Sequence, residues 1–285
     1  MGIAQKVGSI PKLIKLEYSI FVLPFTYMGM LFAGSFTIAQ FLLITMALVS
    51  ARGAAFAANR YIGLKHDRQN PKKREWVSIN LYSKADLAVL FFSFSIVFVA
   101  CAYLLNALAF LLAPLILIII ALEPIAKSFT EHRHMLMGFV IGLGIIGGYI
   151  GIAGRFPTGP ARYVLLLAYM CFSASNDVVY SLSHVAFDKA HGLKTYPVKY
   201  GIGKGKKISL YLHLWASALF IEFGSIAGSP LVVLAGALTL PIFLLENRSL
   251  SRLDEKRISV AFFNYNAAVS LLMLASVIAF LYPHI

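Results

Sequence analysis

Apolar residues run along this chain in long blocks, too long for core strands and without the polar face of a soluble amphipathic helix. A spanning helix needs about 20 mostly apolar residues. Nine such blocks can be traced, at 17–34, 37–58, 87–106, 107–123, 135–153, 163–181, 208–226, 229–246 and 260–282. The third and fourth meet at Asn106, which predicts a tight helical hairpin. The run "GFVIGLGIIGGYIGIAG" (138–154) would make a poor helix in water. In lipid its small residues let neighbouring helices approach closely, which predicts a packed central span. The expected fold is all-α: a polytopic membrane protein with nine transmembrane helices in one bundle, a single domain over residues 1–285.

Composition agrees with this pattern. The chain is 59% hydrophobic and 13% charged, where a soluble domain carries about 25% charged residues. A net charge of +13 invites a nucleic-acid partner. The basic residues, however, fall in a few loops between apolar blocks rather than over one face, so the implied partner is the lipid bilayer and not nucleic acid. With nine spans, all but three of the 25 lysines and arginines fall on one side. Arg52 lies within the second span, and only Arg155 and Arg162 lie opposite. The positive-inside rule then makes the protein a multi-pass cell-membrane protein with its N-terminus cytoplasmic and its C-terminus outside. The short basic start leads into an apolar run with no small-residue cleavage site, which predicts a retained first helix rather than a signal peptide. Cys101 and Cys171 both lie in apolar runs without metal-ligand spacing and are expected to be buried.

Two stretches do not fit a purely structural membrane chain: "NRYIGLKHDRQNP" (59–71) and "NDVVYSLSHVAFDKAHG" (176–192). Each places acidic residues among lysines and arginines at the end of an apolar run. On a helix Asn59 and Asp67 stand about 12 Å apart near one face, with Gly63 midway. Asp177, His184 and Asp188 are spaced to share a stripe, and Asp177 falls inside its span, where an ionisable group is a functional hypothesis by default. Carboxylate and amide oxygens suit Mg²⁺, which keeps several waters and completes its shell with phosphate oxygens. Lysine and arginine would neutralise the remaining phosphate charge. A solvated basic loop, or helix caps at Asn59 and Asn176, would account for the same residues, and spacing alone leaves these readings open. His66, His132 and His134 read as solvated loop residues, and His213 lies in the seventh span without an assigned role.

These stretches carry a family resemblance. "ARGAAFAANRYIGLKHDRQNP" (51–71) resembles the first signature of the UbiA superfamily of intramembrane prenyltransferases, N-R-x-x-D-x-x-x-D-x-x-N-P. "NDVVYSLSHVAFDKAHGLKTYPVKYG" (176–201) resembles the second, D-x-x-Y-x-x-x-D-x-x-x-D followed by G-[LI]-x-[ST]-x-P-x-[RK]-[FY]-G. "IKLEYSIFVLPFTYMG" (14–29) is similar to the opening of the 4-hydroxybenzoate polyprenyltransferase-like branch, and "AKSFTEHRHMLMG" (126–138) to its K-R-x-T segment. The resemblance implies a helical bundle around a central cavity that takes a polyprenyl diphosphate. Mg²⁺ would join the two acidic signatures, and an allylic cation would be captured by a small aromatic acceptor. On that basis Asn59, Asp67, Asp177 and Asp188 would hold the metal, with Asp67, Asp177 and Asp188 as the catalytic acids. Arg60, Lys72 and Lys127 would contact phosphate oxygens. Tyr180 would line the cavity or serve packing. Arg52 would bind substrate or pair with an acid such as Asp177.

The departures matter too. The middle acid of the first signature is Gly63 and that of the second is His184, which can donate to phosphate but is a poor Mg²⁺ ligand. Ser128 replaces the arginine of the K-R pair. The resemblance therefore implies a Mg²⁺-dependent transferase of the EC 2.5.1 type acting in quinone biosynthesis. A catalytically weakened isoprenoid-binding homologue is the alternative, and a transporter the more distant one. The charge asymmetry yields the first test. A reporter fused after Ile285 is expected outside the cytoplasm, and reporters inserted within 65–75 and 195–207 inside; a cytoplasmic C-terminus would contradict the nine-span topology.

Overall fold

The computed structural model describes residues 3–70, 79–250 and 255–281, and every regular element among them is helical. Eight of these helices are long and apolar enough to cross a membrane, one fewer than the nine expected. The difference lies at 17–34. Lys15 adopts a left-handed φ of 47°, a 3₁₀ stretch follows over Leu16–Phe21, and the next helix covers only Leu23–Leu31. Pro24 stands in that helix's first turn, where its missing N–H costs nothing, so a new helix starts there. Nine residues reach only about 13 Å, under half of the bilayer's hydrocarbon core.

The chain groups into two compact units, Met1–Ser19 with Phe36–Ile125 and Ile20–Ser35 with Ala126–Ile285. The first contains α1 (Ile3–Leu13), α3 (Ile38–Gln69), α4 (Lys84–Leu105) and α5 (Ala107–Leu122); α2 (Leu23–Leu31) belongs to the second. Helix α3 starts at a capping box, with Thr37 accepting from the Gln40 N–H and Gln40 from the Thr37 N–H. It ends at Asn70, which is extended because Pro71 follows. A second capping box, Ser83 with Asp86, starts α4, and Asp86 also takes Lys6 at 2.8 Å, tying α1 to α4. Asn106 ends α4 and caps α5 through Ala109 at 2.9 Å, forming the hairpin that the sequence predicts. Leu13, Leu64, Ile79, Tyr82 and Leu87 pack where α1, α3 and α4 meet.

The second unit adds α6 (Arg133–Ala153), α7 (Ala161–Leu182), the short α8 (Val185–Ala190) and α9 (Tyr196–Tyr200), α10 (Ile202–Ile226), α11 (Pro230–Ser249) and α12 (Glu255–Leu281). Helix α7 is its centre: 72% of its apolar window is buried, and no other spanning helix exceeds 44%. Phe25 from α2, Phe172 from α7 and Phe220 from α10 form one aromatic layer, with ring centroids 5.7–6.3 Å apart.

Backbone contact sets the spacing of helices here. A Cβ on Gly29 of α2 would stand 2.0 Å from the Ile145 carbonyl oxygen of α6, and one on Gly148 of α6 would stand 2.3 Å from the Thr26 carbonyl oxygen of α2. The two glycines therefore face reciprocal carbonyls, and the glycine-rich run packs closely against a neighbour as expected. Gly147, one residue away, has nothing within 4 Å of its Cβ position. Gly29→Ala or Gly148→Ala should cost about 1–3 kcal/mol through forced separation of α2 and α6. Gly147→Ala should be neutral or slightly stabilising. Thermal unfolding of the detergent-solubilised protein compares them; equal loss at all three would show that close approach is not the constraint.

Candidate functional site

The first acidic signature lies entirely on α3, which continues well past its apolar stretch and carries Arg52, Asn59, Arg60, Gly63 and Asp67 on one unbroken helix. Arg60 and Asp67 are 6% and 2% exposed and form an ion pair, Nη1 to Oδ2, at 2.7 Å. Seven residues are nearly two whole turns, so the pair shares a stripe, and the guanidinium reaches past the level of Gly63, where no side chain stands. A carboxylate this buried needs its countercharge in place, since an unpaired buried ion costs several kcal/mol. Asn59 is half-buried on the same helix. The Arg52 guanidinium lies over the Phe56 ring, 5.5 Å from its centroid. Lys72 lies outside the described residues.

The second signature departs from the expected single stripe. Helix α7 ends at Leu182, and α8 begins at Val185, so His184 lies at the junction rather than on a continuous helix with Asp177 and Asp188. Ser181 and Ser183 donate to the carbonyls of Val178 and Tyr180, three residues back. Such local bonds compete with the helical ladder and help end it. Tyr180 and His184 remain neighbours, ring centroids 4.9 Å apart. Asp188 sits in α8, where its amide donates to the His184 carbonyl and its own carbonyl accepts from Leu193. Lys127 is half-buried in the 3₁₀ stretch Glu123–Ser128, and its carbonyl accepts from the Lys194 amide at 2.9 Å.

Asp177 is held from α6. Its Oδ2 lies 2.6 Å from His134 Nδ1 and 3.1 Å from Arg133 Nη1. His134 is fully buried, so its expected place in a solvated loop is corrected: α6 begins at Arg133 and draws the histidine inside. A signal was present in the sequence, because His134 heads the buried stripe Gly138, Gly142, Ile145 and Tyr149 at helical spacing. His132 is exposed as expected and contacts the Tyr196 hydroxyl at 3.0 Å. The Tyr196 main-chain N–H donates to His134 Nε2 at 3.4 Å.

Around these groups, the 127–134 segment is clasped to 194–200. Lys194 Nζ donates to the Phe129 carbonyl at 3.2 Å, and Lys199 pairs with Glu131. The ammonium holds the Glu131 carboxyl below its usual range, and the carboxylate holds Lys199 above its own.

A further polar cluster lies inside the second unit, which sequence reading missed. His213 of α10 and Glu246 of α11 are both 1% exposed, with Nδ1 and Oε2 3.6 Å apart. His213 Nε2 is 3.2 Å from Asn176 Oδ1, and Asn176 donates in turn to Asn266 of α12. The only clue in the sequence was an ionisable residue inside each of two apolar runs. Among the described residues, no group of three or more His, Cys, Asp or Glu is placed to hold a metal. A cation bound at either signature would thus draw on one or two side-chain carboxylates, with water and ligand oxygens completing its shell.

The fold is shared with known proteins. Among solved structures, the apo UbiA homologue from Aeropyrum pernix K1 is 30% identical, covers 93% of this chain and 98% of its own, and superposes with a TM-score of 0.82. A UbiA homologue from Archaeoglobus fulgidus bound to GPP and Mg²⁺ shares the fold at 17% identity and a TM-score of 0.74, over 95% of this chain and 98% of its own. The 4-hydroxybenzoate octaprenyltransferase of Francisella tularensis subsp. novicida (strain U112) is 27% identical over 109 residues, and the match spans only 38% of either chain. That of Shewanella pealeana (strain ATCC 700345 / ANG-SQ1) is 25% identical over 248 residues, 85% of this chain and 83% of the relative. The family model described as the UbiA prenyltransferase family matches residues 22–271, and the chain belongs to that family.

Proposed function

We propose that this protein transfers a polyprenyl group from a polyprenyl diphosphate to a small aromatic acceptor of the 4-hydroxybenzoate kind, with Mg²⁺ assisting departure of the diphosphate. The observation that carries the reading is the pair of compensated acids at the ends of apolar helices, Asp67 with Arg60 and Asp177 with Arg133 and His134. Family membership and the relatives named above support it. The oxygen donors Asn59, Asp67, Asp177 and Asp188 suit a hard cation in their chemistry.

Those four residues would hold Mg²⁺, which when bound neutralises charge on the leaving diphosphate. Arg60, Lys72 and Lys127 would engage its oxygens, and Arg52 would help bind the substrate. As the allylic C–O bond breaks, its electron pair leaves with the diphosphate, and a nucleophilic ring carbon of the acceptor attacks the developing cation. Loss of the ring proton restores aromaticity. Tyr180 and the apolar walls of the helices keep water from quenching the cation. The reading places this chemistry at the cytoplasmic side of a multi-pass membrane protein.

Mg²⁺ should strengthen binding of geranylgeranyl diphosphate to purified protein. Asp67→Ala or Asp177→Ala should make binding the same with and without the metal. Binding indifferent to both metal and mutation would overturn the proposed metal role.

Gly63 and His184 favour a second reading, an isoprenoid-binding homologue with weakened transfer. Restoring both acids, Gly63→Asp with His184→Asp, should raise turnover at limiting Mg²⁺, because added carboxylate oxygens are the ligand type that a hard cation prefers; turnover against Mg²⁺ concentration for wild type, both single variants and the double variant measures it. If wild type turns over well and the double variant does worse, the site is adapted to glycine and histidine. If wild type, both single variants and the double variant all fail to transfer to an aromatic acceptor panel, the binding-only reading stands.

A further inference from the structure

We infer that His134 is a positioning residue for Asp177, its Nδ1–H fixing the carboxylate while the Tyr196 main-chain amide fixes the histidine tautomer. The inference rests on the proposed role of Asp177 as a ligand for Mg²⁺–diphosphate. Its geometry is independent of that role.

The Tyr196 main-chain N–H points at His134. A main-chain N–H can only donate, so His134 Nε2, 3.4 Å away, is the acceptor. A neutral imidazole then carries its proton on Nδ1. That atom lies 2.6 Å from Asp177 Oδ2, an acceptor. Both ring nitrogens are thereby matched, and the bond to the carboxylate is a charge-assisted one. Arg133 Nη1 reaches the same Oδ2 at 3.1 Å. Two donors from consecutive residues of α6 converge on one oxygen and fix rotation about the Cβ–Cγ bond.

Packing alone does not account for a histidine here. An imidazole with no exposed surface is held at a cost unless both of its polar atoms are satisfied, and an apolar side chain would fill the space more cheaply. The ring is held on another side by Tyr196, centroids 5.0 Å apart. Tyr196 lies in α9, whose start is set by Thr195 accepting from the Val198 amide. The carboxylate's orientation is therefore tied through one ring to the "KTYPVKYG" segment, which gives that part of the second signature a physical task beyond its charges.

The test compares His134→Leu, which fills the space without a donor, with His134→Asn, whose amide nitrogen stands in for Nδ1. Calorimetry would measure the Mg²⁺ concentration that half-saturates its effect on geranylgeranyl diphosphate binding, and thermal unfolding would be followed alongside. The Leu variant should need 10–100-fold more Mg²⁺, the range for loss of a group that orients a metal ligand, with little loss of thermal stability because Arg133 still pairs Asp177. The Asn variant should recover most of the affinity. A Leu variant that matches wild type, or Leu and Asn variants that match each other, would overturn the inference. Ring ¹⁵N shifts of His134 in the wild-type protein supply a check that needs no variant: the expected state is a neutral Nδ1–H tautomer, and an Nε2–H tautomer contradicts it. Wild type indifferent to Mg²⁺ with the expected tautomer would instead reject the metal role of Asp177 and leave the orienting bond intact.

Discussion

A carboxylate withdrawn from water must bring its donors with it, and this requirement governs where the polar residues of this membrane chain can stand. Asp67 has Arg60 on the same helix, which requires α3 to run unbroken for two turns beyond its apolar stretch. Asp177 has Arg133 and His134, which requires α6 to begin where it does, so that its first turn faces the end of α7. Asn176, the residue preceding Asp177, meets His213 of α10 at 3.2 Å and donates to Asn266 of α12. In a low-dielectric interior, removing the last countercharge of such an acid leaves it uncompensated and costs about 3–5 kcal/mol. Helix ends and polar pairs are therefore coupled throughout.

The pairing of Asp177 depends in turn on how closely two helices approach. A Cβ on Gly138 of α6 would lie 2.4 Å from the Met170 carbonyl oxygen and 3.1 Å from the Ala174 nitrogen of α7, and one on Gly142 would lie 3.4 Å from the Leu166 carbonyl oxygen. As α6 rises from 138 to 142, its partner on α7 falls from 174 towards 166, so the helices run antiparallel. One turn back along the same stripe, His134 meets Asp177. Lipid supplies no hydrophobic drive for helix association, and backbone packing through small residues supplies it instead. The glycines of α6 and the histidine at its head thus belong to one device: close approach sets the register, and the register delivers the donor.

Hydrophobic periodicity made most of the fold legible, because spanning helices are long and the bilayer enforces continuous apolar runs. The α4–α5 hairpin at Asn106 followed from that pattern, whereas the apolar block ends at 58 and α3 continues to Gln69. It failed where local chemistry outweighs hydropathy. At 17–34 a 3₁₀ stretch and a proline helix start divide an apolar run that reads as continuous. At 181–183 serines bonding back to the main chain end α7 inside a stripe that reads as unbroken. Tertiary pairs across helices, such as His134 with Asp177 and His213 with Glu246, leave only the trace of an ionisable residue at a buried helical position. Nothing in the local sequence names the partner.

The same compensation gives physical meaning to Gly63 and His184. In the first signature the one buried acid is matched by Arg60, whose side chain passes the level of Gly63 to reach it. In the second, both donors at the start of α6 already converge on Asp177. A further carboxylate at either position would add a charge beyond those that Arg60, Arg133 and His134 already match at Asp67 and Asp177, and the ligand-free protein would carry it at a cost. Metal bound to the folded state would return the loss according to its concentration and affinity. A site richer in acids therefore trades stability without metal for affinity with it. This chain, with matched charges and two positions left without acids, lies on the side of that trade that favours a folded protein before any ligand arrives.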